Sequence, residues 1–182
     1  NKNLKNQFGD FFHNEDVFSL GVCNGCQALS LLKPLIPGAD SWPRFKRNTS
    51  EKFEARLVQV SVKDSPSIFF KGMEGAIIPI PVAHGEGRVD FSGQSPEKLP
   101  KDKSISISYV DYKGSDTEDY PSNPNGSIYG MAGITNNTGT VTVMMPHPER
   151  AFLTDQLSWS PEEWPRYSPW IQFFLNARNF ID

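Results

Sequence analysis

The order of hydrophobic and polar residues predicts several β-strands, with a short helix or loop at the start of the chain. An apolar run over residues 17–22 is typical of a buried strand, and apolar positions at helical spacing follow it over 28–32. Elsewhere apolar and polar side chains alternate, or apolar runs lie between turn residues, as in strands. Four further strands are predicted in this way, over residues 58–62, 104–112, 128–135 and 140–145.

The C-terminal part and one internal segment carry clear local signals. Ser168 is a good N-cap and Pro169 suits the first position of a helix, so a C-terminal helix is predicted. Residues 76–83 are apolar but include Pro79 and Pro81. Because proline cannot donate a hydrogen bond to a sheet, we expect an edge strand or an extended segment there. Strands with helices at both ends indicate layered α/β architecture with an antiparallel middle part.

The composition is typical of one soluble globular domain over residues 1–182. Hydrophobic residues make up 37% of the chain and charged residues 21%, which argues against disorder. The net charge is −3 and no basic patch stands out, so we expect no nucleic-acid partner. The apolar runs are far shorter than the ~20 residues of a membrane-spanning helix, so we expect no membrane association. Two cysteines and a polar start without a signal peptide predict a cytoplasmic protein.

Residues 21–25, Gly-Val-Cys-Asn-Gly, match a nucleophile elbow at a junction between a strand and a helix. In such an elbow the nucleophile lies on a tight, strained turn, and side chains at Gly21 and Gly25 would collide with the neighbouring strand and helix. The turn places the Cys23 sulfur at a helix N-terminus, where the helix dipole favours the thiolate. The backbone N–H of Asn24 is then free to bind a developing oxyanion.

Other interpretations of Cys23 stay open on the motif alone. A cysteine after a strand is often buried and inert, and we weigh that interpretation evenly against the functional one. Cys23 and Cys26 also form a C-x-x-C pair, which is found in thiol redox proteins. A zinc site lacks the second pair of ligands that such sites need.

A second motif follows the strand predicted over 140–145. His147 and Glu149 are two positions apart in Pro146–Arg150, and in an extended backbone such residues point to the same side. A carboxylate beside an imidazole fixes its tautomer and supports its charged form, which is what a cysteine nucleophile needs from its base. The alternative is that His147 is a surface histidine that lies beside Glu149 by chance. Together with the elbow at Cys23, however, the motif favours a Cys-His-Glu triad.

Two weaker features lie between these motifs. His84 is in a glycine-rich turn over 83–88, which either borders the active site or is an ordinary turn. Residues 36–50 are predicted to be loop. The mixed charges in and after this loop are interpreted as a solvated face, and they are Arg44, Arg47, Glu51 and Glu54.

Together these motifs resemble those of a known enzyme family. Gly21–Gln27 with Pro146–Arg150 resembles the class I, or triad, glutamine amidotransferases. Residues 42–56 and 82–88 resemble the phosphoribosylformylglycinamidine synthases. Residues 120–127 and 168–170 resemble the C-terminus of the large single-chain form of these enzymes.

The resemblance implies a three-layer, flavodoxin-like amidotransferase fold whose N-terminal strands are missing here. The chain would be a C-terminal fragment of a longer multidomain ligase. The family's domain hydrolyses glutamine and passes ammonia to synthetase domains of the same polypeptide. Those domains use ATP and magnesium to convert formylglycinamide ribonucleotide to the amidine in purine biosynthesis. We therefore expect no cofactor and no metal in the present chain itself.

The resemblance also implies roles for individual residues. Cys23 would be the nucleophile, His147 the general base and acid, and Glu149 the residue that orients the imidazole. The other assigned residues would bind glutamine or shape the elbow: Asn24, Gln27, Gly21, Gly25 and His84.

Three alternatives of different classes remain. The chain could be the glutaminase subunit of another amidotransferase, or a peptidase or isomerase on the same fold. A thiol redox protein would need an accessible Cys26, whereas the elbow interpretation predicts that Cys26 is packed inside the domain and unreactive.

Overall fold

The computed structural model describes residues 2–93 and 103–181. Its main sheet has six strands in the order β1-β8-β7-β6-β3-β4, and β2 and β5 form a separate pair. The strands of the main sheet are β1 (Ser19–Val22), β3 (Glu54–Val62), β4 (Ile77–His84), β6 (Ile105–Tyr109), β7 (Met131–Thr135) and β8 (Val141–Met144). The smaller pair is β2 (Arg44–Lys46) with β5 (Arg88–Asp90), and the α-helices are α1 (Lys2–Phe12), α2 (Asn24–Leu31) and α3 (Trp170–Ile181).

The layered mixed α/β fold that we predicted is confirmed. Strand β1 runs parallel to β8, and the other neighbouring strands of the sheet are antiparallel. Two apolar clusters contact the sheet, one containing Trp170 and Phe173 of α3 and the other containing Phe12 of α1 and Cys26 of α2. Successive β8 residues alternate between them, with Met144 in the first and Val143 in the second. The helices therefore lie on opposite faces of the sheet.

Strand β4 is the edge strand that its prolines predict. In the register between β4 and β3, the backbone N–H and C=O groups of the even-numbered β4 residues point toward β3. Those of the odd-numbered residues point toward the open edge of the sheet. Pro79 and Pro81 therefore lie where a missing N–H breaks no ladder hydrogen bond. Their carbonyls are used: Pro79 accepts from the Trp170 indole at 2.7 Å, and Pro81 accepts from the backbone N–H of His147 at 2.9 Å. The sheet thus curls until its β4 edge meets the chain that leaves β8.

The C-terminal helix forms as predicted. The Ser168 hydroxyl accepts a hydrogen bond from the Trp170 N–H at 3.1 Å, which satisfies one of the free donors of the first turn. The same hydroxyl donates to the Ala151 carbonyl, so the cap also ties α3 to the segment that follows β8. Among the residues described, we find no helix long and apolar enough to cross a bilayer.

Two local predictions are wrong. The segment 36–50, predicted to be loop, contains β2, because a three-residue strand is too short to show a pattern in the sequence. Glu54, predicted to be solvated, is 6% exposed. Its carboxylate accepts from the Ser50 hydroxyl at 2.6 Å and pairs with Arg56, so its charge is compensated inside the protein.

Candidate active site

Cys23 has the strained backbone of a nucleophile elbow. Its φ of 53° and ψ of −107° lie outside the regions that non-glycine residues prefer, and α2 begins at the next residue. The backbone N–H of Cys23 donates to the Met144 carbonyl of β8 at 2.9 Å, which holds the turn against the sheet. The Cys23 thiol lies 3.7 Å from the Ala83 carbonyl on the open edge of β4. The elbow is therefore fixed by the two strands that border it.

The two elbow glycines are not equivalent. A Cβ atom at Gly21 would lie 2.7 Å from the Gly25 carbonyl oxygen and 2.8 Å from Leu29, so any side chain there forces the strand and the helix apart. A Cβ atom at Gly25 would meet nothing within 4 Å. The expected collision at Gly25 is wrong, because the first turn of α2 leaves open space on that side.

His147 and Glu149 are brought together as predicted, although Pro148–Arg150 forms a 3₁₀ turn and not the extended backbone on which the prediction rested. The His147 Nδ1–H donates to Glu149 Oε1 at 2.6 Å. His147 is 5% exposed, and its backbone is anchored to Pro81 on β4. The other ring nitrogen, Nε2, is buried and has no hydrogen-bond partner. The imidazole is therefore oriented from one side and has a free nitrogen on the other.

Cys23 and His147 line one cavity of about 480 Å³. Asn24, Gln27 and His84, three of the residues predicted to bind substrate, also line it. Glu149 does not line the cavity and contacts the imidazole of His147 instead. The cavity thus gathers residues that are more than 120 positions apart in the chain, which is the arrangement that the two motifs predicted.

The sequence analysis gave no role to three lining residues: Phe53, Glu86 and Arg150. Gln27 contacts Glu86 twice, since its Nε2 donates to the Glu86 carbonyl at 3.1 Å and to the Glu86 carboxylate at 3.3 Å. The glycine-rich turn around Glu86 was the available signal. Phe53 is 68% exposed at the rim of the cavity, and an exposed loop aromatic has no distinguishing sequence pattern.

His84 ends β4 rather than lying in a turn, and it is buried at 3% exposure. Neither of its ring nitrogens has a hydrogen-bond partner. Burial, together with the neighbouring His147, lowers its pKa to about 4, so the ring is neutral at physiological pH. The Asn48 side chain fixes the turn that follows by donating to the His84 carbonyl at 2.9 Å and accepting from the Gly87 N–H at 2.9 Å. The neutral imidazole of His84 therefore forms part of the cavity lining.

The resting form of Cys23 is the thiol. Burial raises its pKa, and this effect outweighs the backbone N–H of Asn24 and the positive charge of Arg150, which lower it. The carboxylate of Glu149 raises the pKa further. The start of α2 favours the thiolate, as expected, but the burial of the sulfur outweighs this effect. Ionisation of this thiol requires a base.

Cys26 is packed inside the domain, as the elbow interpretation predicts. It is fully buried in the cluster that α2 forms with the sheet, and its pKa is raised well above the usual range by burial. Both cysteines are free thiols. A redox pair needs an accessible second thiol, so this geometry disfavours the C-x-x-C alternative. Within residues 2–93 and 103–181, no group of three or more His, Cys, Asp or Glu side chains is placed to hold a metal ion.

Known proteins resemble the chain along most of its length. The family model of the CobB/CobQ-like glutamine amidotransferase domain matches residues 1–181. A chain of PurLQS from Thermotoga maritima superposes with a TM-score of 0.62 at 26% identity, covering 90% of the present chain and 61% of that chain.

A second structure supports the fold alone. The putative GMP synthase subunit from Thermoplasma acidophilum superposes with a TM-score of 0.54 at 14% identity, covering 99% of the present chain and 65% of that chain. The present chain thus spans less than two thirds of the length of either protein. The match over nearly every residue shows that the chain belongs to the CobB/CobQ-like glutamine amidotransferase family.

Proposed function

We propose that this chain hydrolyses glutamine to glutamate and ammonia through Cys23, His147 and Glu149. One observation carries the proposal: an imidazole oriented by a carboxylate presents a buried, unpartnered nitrogen in the cavity that holds a strained cysteine. The family to which the chain belongs supports the reaction class.

The first half of the reaction forms a thioester. His147 Nε2 accepts the proton of the Cys23 thiol, and the thiolate attacks the carbon of the glutamine carboxamide. The backbone N–H of Asn24, at the start of α2, stabilises the negative charge on the carboxamide oxygen. The C–N bond then breaks, and the imidazolium gives its proton to the leaving nitrogen, which departs as ammonia.

The second half returns the enzyme to its starting state. His147 takes a proton from water, and the hydroxide attacks the thioester carbon. The C–S bond breaks, the sulfur recovers its proton from the imidazolium, and glutamate leaves. Glu149 holds Nδ1–H throughout, so the imidazole keeps the tautomer in which Nε2 accepts a proton.

We propose that other side chains lining the cavity bind the rest of glutamine. Gln27 and Glu86 form a linked polar pair, and His84 supplies a neutral imidazole whose buried nitrogens have no hydrogen-bond partner. Buried polar atoms without partners are costly, so a polar ligand that meets them gains specificity. Gly21 and Gly25 act indirectly, by permitting the elbow and by leaving space beside it.

The destination of the ammonia is the finer part of the proposal. The similarity to a chain of PurLQS supports a role in purine biosynthesis. We propose that ammonia passes to synthetase domains that convert formylglycinamide ribonucleotide to the amidine. The residues for ATP and magnesium would belong to those domains, which we place in the same cytoplasmic polypeptide, with residues 1–182 as its glutaminase domain.

The test is to measure glutamine-dependent and ammonia-dependent synthesis in the complete enzyme. Cys23→Ala should abolish glutamate release and glutamine-dependent synthesis but leave ammonia-dependent synthesis intact. Cys26→Ala is the matched control, since the second cysteine of the same helix is buried away from the cavity. If Cys23→Ala leaves both activities equally intact, Cys23 is not the nucleophile.

A further inference from the structure

Arg150 contacts the predicted catalytic group but has no role in the mechanism above. It ends a short 3₁₀ turn, Pro148–Arg150, that begins immediately after His147. Its Nε lies 3.4 Å from Glu149 Oε1, the same oxygen that accepts the His147 Nδ1–H at 2.6 Å. The Arg150 side chain also lines the cavity beside Cys23 and His147. One guanidinium therefore contacts the orienting carboxylate and also lines the cavity.

A carboxylate in this position creates an electrostatic conflict. Glu149 must be ionised to hold the imidazole, but its negative charge opposes the ionisation of Cys23 and raises the pKa of that thiol. The positive charge of Arg150 acts in the opposite direction and lowers the pKa of the same thiol. Among the residues described along the cavity, Arg150 is the one with a permanent positive charge.

The other groups around the cavity do not replace this charge. Glu86, on the turn after β4, contributes a carboxylate that contacts Gln27. His84 is neutral at physiological pH because its pKa is lowered to about 4. Arg56 of β3 is paired with the buried Glu54, so its charge is already compensated.

We propose that Arg150 is a positioning residue for the thiol chemistry: it holds the Glu149 carboxylate on the imidazole and offsets that carboxylate's charge beside the Cys23 sulfur. The proposal deepens the function above and rests on it for its biological meaning. Arg150 lets Glu149 orient His147 without suppressing the thiolate. A lysine would keep the charge but lose the contact that the guanidinium Nε makes with the carboxylate.

The experiment measures the rate of Cys23 alkylation by iodoacetamide against pH, with peptide mass mapping to separate Cys23 from Cys26. The rate follows the thiolate fraction, so its midpoint reports the ionisation of Cys23. Arg150→Gln should move the midpoint to higher pH and slow alkylation below it by roughly three- to tenfold. Arg150→Lys should stay near the wild-type profile.

The double variant Glu149→Gln/Arg150→Gln also removes the negative charge of Glu149. It should recover most of the Cys23 alkylation rate that is lost in Arg150→Gln. Arg166→Gln is the matched control, since Arg166 lies over the Tyr167 ring and does not line the cavity. Arg150 is 56% exposed, and thermal unfolding will confirm that each variant is folded.

The proposal fails if Arg150→Gln titrates like the wild type, including the case in which only the KM for glutamine rises, which would make Arg150 a substrate contact. Alkylation needs no glutamine hydrolysis. A chain that releases no glutamate but shows the shift contradicts the proposed function and leaves the electrostatic role of Arg150 standing.

Discussion

His147 donates from Nδ1 to Glu149 Oε1 at 2.6 Å, while Nε2 on the far side of the ring is buried without a partner. A buried nitrogen without a partner is unfavourable, so the protein must gain from keeping it free. A base that accepts the thiol proton from Cys23 needs this nitrogen. The bonded Nδ1 and the free Nε2 therefore link the orientation of the imidazole to the chemistry of the cavity.

Replacing Glu149 tests that link. Glu149→Gln keeps the size of the side chain, but its amide can also donate and would stabilise the tautomer in which Nε2 carries the proton. We expect kcat for glutamine hydrolysis to fall roughly 10²- to 10⁴-fold with little change in thermal stability. Glu163→Gln, at an exposed glutamate outside the cavity, is the control. A loss below threefold in Glu149→Gln would contradict the role of the carboxylate.

The elbow glycines give a prediction on stability. Gly21→Ala places a methyl group 2.7 Å from a carbonyl oxygen, and we expect the free energy of unfolding to fall by about 1–3 kcal/mol. Gly25→Ala enters open space in the first turn of α2, so the same measurement should show no loss and a gain of up to ~1 kcal/mol. Urea unfolding of the two variants checks the asymmetry, and equal destabilisation would contradict the geometry of the turn.

His84 predicts how stability depends on pH. Its pKa is lowered from 6.5 to about 4 in the folded protein, so the unfolded chain binds the proton first as pH falls. Stability contributed by the neutral ring is present above pH 6.5 and is lost between 6.5 and about 4. Between pH 7 and pH 5 the loss amounts to about 2 kcal/mol.

The comparison is between unfolding at pH 7 and at pH 5. His84→Gln should lose stability over this interval by about 2 kcal/mol less than the wild type. His13→Gln is the control, since His13 is exposed directly after the end of α1. If His84→Gln and the wild type lose stability equally, His84 is not held neutral by its surroundings.

Gln27 and Glu86 lead to a kinetic prediction. Gln27→Leu removes the amide that joins α2 to the turn after β4 by two hydrogen bonds. We expect the KM for glutamine to rise by roughly tenfold, and kcat to change less, because the amide takes no part in the proton transfers of the proposed reaction. Steady-state kinetics measure the two constants separately, and a loss confined to kcat would contradict a binding role.

The local chemistry of the site was predictable from the sequence, but its assembly was not. The spacing of His147 and Glu149 and the glycine at position 21 express short-range geometry, which a sequence carries directly. The meeting of Pro81 with His147, and of Ala83 with Cys23, depends on the curl of the whole sheet. No local pattern encodes that curl.

The errors in prediction have the same origin. Glu54 lies in a charged stretch that looks solvated, but Ser50 and Arg56 compensate it inside the fold. The start of α2 favours the thiolate of Cys23, as predicted, but burial by residues distant in sequence outweighs this effect. Long-range burial reverses predictions that rest on neighbouring residues alone.

The most direct test of the central claim is mass spectrometry after exposure of the protein to an electrophile that mimics glutamine. The account predicts one adduct, on Cys23, whose formation is slowed by added glutamine and by replacing His147 with alanine. Cys26, which is fully buried, should stay unmodified in the same sample. Labelling of both cysteines alike, or labelling of Cys23 that glutamine does not slow, would contradict a glutamine-binding nucleophile at the elbow.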